Sequence, residues 1–177
     1  MRKLLNEELD RLSVEVFKTV DKIPFMLVLD NVRSLNNIGS VFRTADAFRL
    51  EGIYLCGITA TPPHREIHKT ALGATESVYW EYREETTDAI AELKEKGYQI
   101  YSVEQTDGSV LLDQVQLSGK QKYALVFGHE IRGVDQQVVD MSDQCIEIPQ
   151  YGTKHSLNIS VAAGIVIWEL FRCWTKK

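Results

Sequence analysis

Three short stretches of this chain join polar and charged residues to glycine directly after an apolar run. The first, residues 30–45, carries Asn37 and, six residues later, Arg43-Thr44. The second, residues 126–134, carries Gly128, Glu130 and Gly133. The third, residues 148–160, runs from Ile148-Pro149 through Gly152 to Ser156-Leu157-Asn158 and Ser160. Open parallel sheets bind ligands beyond the carboxyl ends of their strands, where such turns lie. Asn37 is read as a helix N-cap, which puts Arg43 almost two turns into that helix. An arginine there needs an anion, or it reaches out to solvent along its stem. Gly128 lets another group approach the backbone closely. Glu130 can accept hydrogen bonds from amides in a tight loop. Ser156 and Asn158 can satisfy the free amides of a helix start. Free amides beside a polar loop can hold an adenosine, and they equally suit a plain capped helix.

Several chemistries lack their residues. No GxGxxG follows a strand and no GxxxxGK[ST] is present, so neither a Rossmann nor a P-loop site is supported. No serine or cysteine sits in a nucleophile elbow. His64 and His68 have the four-residue spacing of metal ligands but no HExxH frame and no nearby third ligand, so no metal is expected. Cys56, Cys145 and Cys173 are far apart and odd in number, which reads as reduced structural thiols.

The elements that would position these stretches alternate. Residues 2–20 read as an amphipathic helix with Leu4, Leu5, Leu9, Leu12, Val16 and Val20 at three- and four-residue steps, ended by Pro24. Apolar runs at 25–30, 52–57, 98–103, 123–128 and 145–148 read as buried strands, and 77–80 as a further one. Helices are expected at 37–48, 65–72, 86–96, 136–141 and 156–174, with a turn at Asp107-Gly108. The fold class is therefore α/β: one domain, a mostly parallel sheet flanked by helices. The last helix is apolar over most of its circumference and must be covered on more than one side. A second copy of the chain is the expected cover, and a central core position is the other reading.

Composition sets outer bounds. The chain has 177 residues, 44% hydrophobic and 25% charged, in keeping with one ordinary globular domain. No apolar run approaches the ~20 residues that span a bilayer, and the first residues turn acidic too soon for a secretory signal, so no membrane partner and a cytoplasmic location are expected. The net charge of −5 works against nucleic-acid binding unless basic residues share one face. Six acids against two bases crowd residues 81–95, whereas Arg33, Arg43, Arg49, Arg65, Lys69 and Lys154 lie near the three stretches.

Taken in order, the three stretches resemble the SpoU/TrmH family of the SPOUT methyltransferases. Asn37 with Arg43-Thr44 looks like its first motif, Gly128-x-Glu130-x-x-Gly133 like its second, and Ile148-Pro149, Gly152 and Ser156-Leu157-Asn158-x-Ser160 like its third. The resemblance covers residues 25–174. It implies a methyltransferase domain over 25–177, after an N-terminal helix within 1–24, with a C-terminal trefoil knot (an α/β-knot). It also implies a homodimer with the final helix at the interface. S-adenosyl-L-methionine is the implied co-substrate, RNA (tRNA or rRNA) the implied partner, and a 2′-O-methylated ribose the implied product. Gly128, Ile148 and Leu157 would contact the cofactor, with Val103 lining the same pocket. Ser156 and Asn158 would organise the cofactor loop, Glu130 would brace the knot, and Asn37 would fix the loop that carries Arg43. Arg43 would act at the ribose in the partner's site.

Methyl transfer from a sulfonium needs an aligned oxygen and an outlet for its proton. Arginine holds its proton too tightly to be a good base; binding a phosphate and steadying negative charge on the oxygen suit it better. Only about 24 residues precede the first strand, so substrate selection is expected from this domain and the short N-terminal helix, with Arg33, Arg65, Lys69, Thr153, Lys154 and His155 as candidate RNA contacts. A non-catalytic RNA-binding module and an RNA base methyltransferase are the alternatives.

Overall fold

In the computed structural model, which describes residues 1–119 and 121–175, seven strands form one sheet. Lys120, Lys176 and Lys177, the last two at the end of the expected 25–177 domain, lie outside the described residues. The strands are β1 (Ile23–Asp30), β2 (Leu50–Cys56), β3 (Trp80–Arg83), β4 (Tyr98–Val103), β5 (Val110–Leu111), β6 (Lys122–Phe127) and β7 (Gln144–Glu147). Their order is β3-β2-β1-β6-β4-β7-β5, and each pairing is parallel. The helices are α1 (Val14–Thr19), α2 (Leu35–Ala47), α3 (Arg65–Ala71), α4 (Ala74–Ser77), α5 (Thr86–Glu95), α6 (Gln136–Met141) and α7 (Ile159–Thr175).

The central strands are apolar on both faces because helices cover both. Phe25, Leu27 and Leu29 of β1 and Tyr123, Leu125 and Phe127 of β6 join one core layer, with residues of α2, α3 and α7. The alternate residues Met26, Val28, Ala124 and Val126 join a second layer, with Ala89, Ile90 and Leu93 of α5 and Val138 of α6. This is the two-residue period of a strand buried on each side.

Four expectations are corrected. Residues 2–20 do not form one helix: a 3-10 turn spans Asn6–Leu9, Asp10 takes a left-handed φ of 45°, and only Val14–Thr19 is α-helical. Leu4, Leu5, Leu9, Leu12 and Val16 are exposed, so the apolar stripe finds no surface to stabilise a longer helix. Residues 77–80 do not form a strand; α4 ends at Ser77, whose hydroxyl donates to Asp46, and the strand begins at Trp80. Asn37 is not the N-cap of α2; Ser34 is, its Oγ accepting the Asn37 amide at 3.3 Å. The last helix begins at Ile159 rather than at Ser156, with the Asn158 carbonyl accepting the Ala162 amide at 2.9 Å.

Candidate active site

The carboxyl ends of β4, β6 and β7 open into a cleft of about 520 Å³. Val103, Phe127 and Glu147 bring the strand ends to it. The 128–134 turn forms one wall with Gly128 and Glu130, and residues 148–158 form the other with Ile148, Ser156, Leu157 and Asn158. Glycine is required at Gly128, where a Cβ would sit 2.1 Å from the Gly133 carbonyl carbon and the Val134 nitrogen. The turn closes there on itself: the His129 and Gly133 backbones exchange hydrogen bonds of 2.9 and 2.8 Å. Gly133 has a φ of +70°, and a Cβ on it would meet the Glu104 carboxylate at 2.1 Å.

Hydrogen bonds join the three sequence stretches. Glu130 reaches back across the chain and accepts the Ser34 amide at 2.8 Å and the Arg33 amide at 3.1 Å. The Asn37 side-chain amide donates to the same carboxylate at 3.4 Å. Its Oδ1 in turn accepts the side-chain amide of Asn158 at 3.1 Å. Asn158 Oδ1 accepts the Ser160 amide at 2.9 Å and the Ser160 hydroxyl at 2.7 Å, which caps α7. Burial pushes the Glu130 carboxyl up. The backbone amides of Glu130, Arg33 and Ser34, with the Asn37 side chain, outweigh that and hold it below the usual glutamate range.

Arg43 is not in this cleft. It lies exposed on α2 and lines a separate hollow with Lys69 of α3. None of the ion pairs among the described residues includes it. Arg33, Arg65, Lys69, Thr153, Lys154 and His155 are exposed, and His155 also borders the cleft. His64 caps α3, its Nδ1 accepting the Glu66 amide at 3.2 Å, and no cluster of three metal-ligating side chains occurs among the described residues.

Three residues that spacing did not single out hold the loops at and beside the site. Glu104 lies at the cleft and accepts the Val134 amide at 2.9 Å and the Gln105 amide at 3.0 Å. Buried His129 accepts the Ile131 amide at 3.0 Å on Nδ1, which shapes the turn. Asp30, 1% exposed at the end of β1, accepts the Thr86 hydroxyl at 2.6 Å, the Asn31 side-chain amide at 2.9 Å and the Asp135 amide at 2.9 Å. Of the three, Asp30 stands where the sequence marks a boundary, between an apolar run and a polar loop.

Comparison with known proteins follows these same elements. The model of the SpoU rRNA Methylase family matches residues 24–168. A Bacillus subtilis protein named as a TrmH-family tRNA/rRNA methyltransferase is 34% identical over 149 residues, 84% of this chain and 59% of that protein. This chain thus spans about three fifths of the length of the curated relatives it matches. Among solved structures, the A. aeolicus TrmH/SpoU tRNA modifying enzyme superposes with a TM-score of 0.80 at 28% identity, over 92% of this chain and 81% of that one. The AdoMet-bound rRNA methyltransferase of Sinorhizobium meliloti superposes with a TM-score of 0.78 at 28% identity, over 88% of this chain and 59% of that one. With most of its length inside one family model, and with the sheet and the bonded line of Glu130, Asn37 and Asn158 inside the matched span, the chain belongs to the SpoU rRNA methylase family.

Proposed function

We propose that this protein transfers a methyl group from S-adenosylmethionine to the ribose 2′-oxygen of a nucleotide in tRNA or rRNA. The observation that carries the reading is the hydrogen-bonded line Glu130–Asn37–Asn158, which ties three distant stretches together beside a cleft at the strand ends. The names of the relatives and the AdoMet held by the Sinorhizobium meliloti enzyme support it. Residues 25–177 form the catalytic unit of this proposal, and residues 1–24 an appended segment.

The cleft suits such a ligand. Its volume falls in the range of small-molecule sites. Val103, Ile146, Ile148 and Leu157 offer apolar sides for a flat purine, and Gly128 offers bare backbone. S-adenosylmethionine, when bound, supplies a methyl group on a positively charged sulfur. Asn158 caps α7 and so holds Ser156 and Leu157 at the cleft. Arg43 holds a target phosphate and steadies negative charge on the 2′-oxygen. The hydroxyl proton passes to water or to a phosphate oxygen.

Arg43 reaches this chemistry from a second copy of the chain. The outward side of α7 supports that arrangement, because Val161, Ile165 and Trp168 are 49%, 38% and 55% exposed there. The ring of Trp168 lies 6.0 Å from that of Phe48, just past the end of α2, so the face continues toward the helix of Arg43. A C-terminal trefoil knot belongs to the same reading; the close approach of Gly128 to Gly133 and the reach of Glu130 to residues 33 and 34 fit it. A cytoplasmic setting fits the reduced thiols of Cys56, Cys145 and Cys173. Among the described residues no helix is long and apolar enough to cross a membrane.

The test is tritium transfer from labelled S-adenosylmethionine to bulk tRNA and rRNA, followed by nucleoside analysis. A 2′-O-methylnucleoside is expected. Label on a base would make the protein a base methyltransferase. RNA binding without S-adenosylmethionine binding in calorimetry would make it a non-catalytic module.

A further inference from the structure

The hollow that holds Arg43 has a second cation. Arg43 comes from α2 and Lys69 from α3, around a space of about 500 Å³ that Ser40, Thr44 and Thr70 also line. Among the described residues no carboxylate lines it. The Lys69 ammonium has one ion pair among the described residues, to Glu66 at 3.8 Å on its own helix, and its side chain stays 73% exposed. Such a pair contributes little in water and leaves the charge available.

The two helices are set close together. A Cβ on Gly39 would lie 2.1 Å from Thr70 Oγ1 and 2.3 Å from the Ile67 carbonyl oxygen. Thr70 Oγ1 donates across the crossing to the Asn36 carbonyl at 3.1 Å. Gly39 stands one turn before Arg43, and Thr70 stands next to Lys69. The contact that locks α2 onto α3 therefore also fixes the two cations around one hollow. The three hydroxyls already donate to backbone carbonyls of Asn36 and Ser40, so the added attraction for an anion comes from the cations.

We infer that this hollow seats a phosphodiester of the RNA, with Lys69 as a positioning residue that holds the strand while Arg43 engages the target nucleotide. The inference rests on the RNA methyltransferase reading. Lys69 fits a point-charge contact, and any cation of similar reach can replace it. Each phosphate contact adds about 0.7–0.9 to the slope of log affinity against log salt.

The experiment measures RNA binding without S-adenosylmethionine, at several salt concentrations, beside steady-state methyl transfer. Bulk tRNA and rRNA are the probes. In K69A the salt slope should fall by about 0.7–0.9, and KM for RNA should rise about tenfold at low salt while kcat changes less than twofold. K69R should restore both, and K69E should weaken binding further. Wild-type RNA binding with an unchanged slope in K69A would overturn the seat and leave the methyltransferase reading standing. Absence of RNA binding by the wild type would overturn both. Inorganic phosphate that binds the wild type in calorimetry but not K69A, with RNA binding the same in both, would make the hollow a free-anion site and overturn its assignment to RNA.

Discussion

Asn158 donates its side-chain amide to Asn37 at 3.1 Å, across 121 positions of sequence. The bond joins the cap of the last helix to the first turn of α2, and Asn37 passes it on to Glu130. Two short polar side chains thus connect the cleft wall to the helix that carries Arg43.

That coupling is measurable by a double-mutant cycle. Asn37→Ala and Asn158→Ala should each destabilise the fold by about 1 kcal/mol, the usual worth of a hydrogen bond. Their effects should not add; the interaction energy should fall at about 0.5–3 kcal/mol. Denaturant unfolding of the two single variants and the double variant supplies the numbers. Simple additivity would mean that the bond joins nothing of consequence.

Glu130 makes stability depend on acidity. Its folded pKa is depressed, so its contribution is complete above the ordinary glutamate value and is lost as pH falls through the lower folded value. Wild-type stability should therefore decline on acidification below about pH 4.3. Glu130→Gln should be less stable than wild type at pH 7 and should lose less on going to acid. Urea midpoints at several pH values check the sign. A variant with the wild-type acid slope would show that other carboxylates carry it.

Gly128→Ala should damage fold and cleft together. The new Cβ would lie 2.1 Å from backbone atoms of Gly133 and Val134, which cannot yield as a flexible side chain does. Overpacking of this kind costs about 1–3 kcal/mol. Thermal melting should show that loss, and calorimetry should show weakened S-adenosylmethionine binding. Gly108→Ala is the control, since nothing lies within 4 Å of its added carbon. Equal melting of the two variants would refute the close approach.

Much of the architecture was legible because burial on both faces writes itself as an apolar run. The runs at 98–103 and 123–128 read almost as β4 and β6 stand. The N-terminal stripe misled for the converse reason: its period is helical, yet Leu4 and Leu5 have nothing to pack on, and Asp10 turns the chain. The start of α2 departs from expectation because Ser34 and Asn37 both suit an N-cap; the bonds to Asn158 and Glu130 show what Asn37 does instead. The polar residues at strand ends were visible by type and spacing. Glu104 and His129 were not, because their partners are amides of the 131–134 turn, which no local pattern reveals.

Trp168→Glu should report on the outward face of α7. Val161, Ile165 and Trp168 form an exposed apolar strip, and a carboxylate in its midst would resist being covered. Sedimentation should show a dimer for wild type and a monomer for the variant. Methyl transfer should fall with the dimer, while the isolated chain keeps its secondary structure because Trp168 is 55% exposed. A wild-type monomer that methylates RNA would exclude a shared site.

Arg43 and the cleft can be assigned to the same or to opposite subunits by mixing variants. Arg43→Ala should lower kcat by about 10²–10³-fold, the usual effect of removing a group that stabilises developing charge. Asn158→Ala should be impaired through the cleft. If each site takes Arg43 from the partner, a mixed dimer has one site with both residues intact and one with both lost. Random mixing makes about half of the dimers mixed, so about a quarter of wild-type activity should return. If Arg43 serves its own chain's cleft, each site in the mixed dimer carries one defect and nothing returns. Arg43→Lys extends the test: an ammonium keeps the charge but not the planar fork, so near-normal turnover would remove the geometric role assigned to the guanidinium.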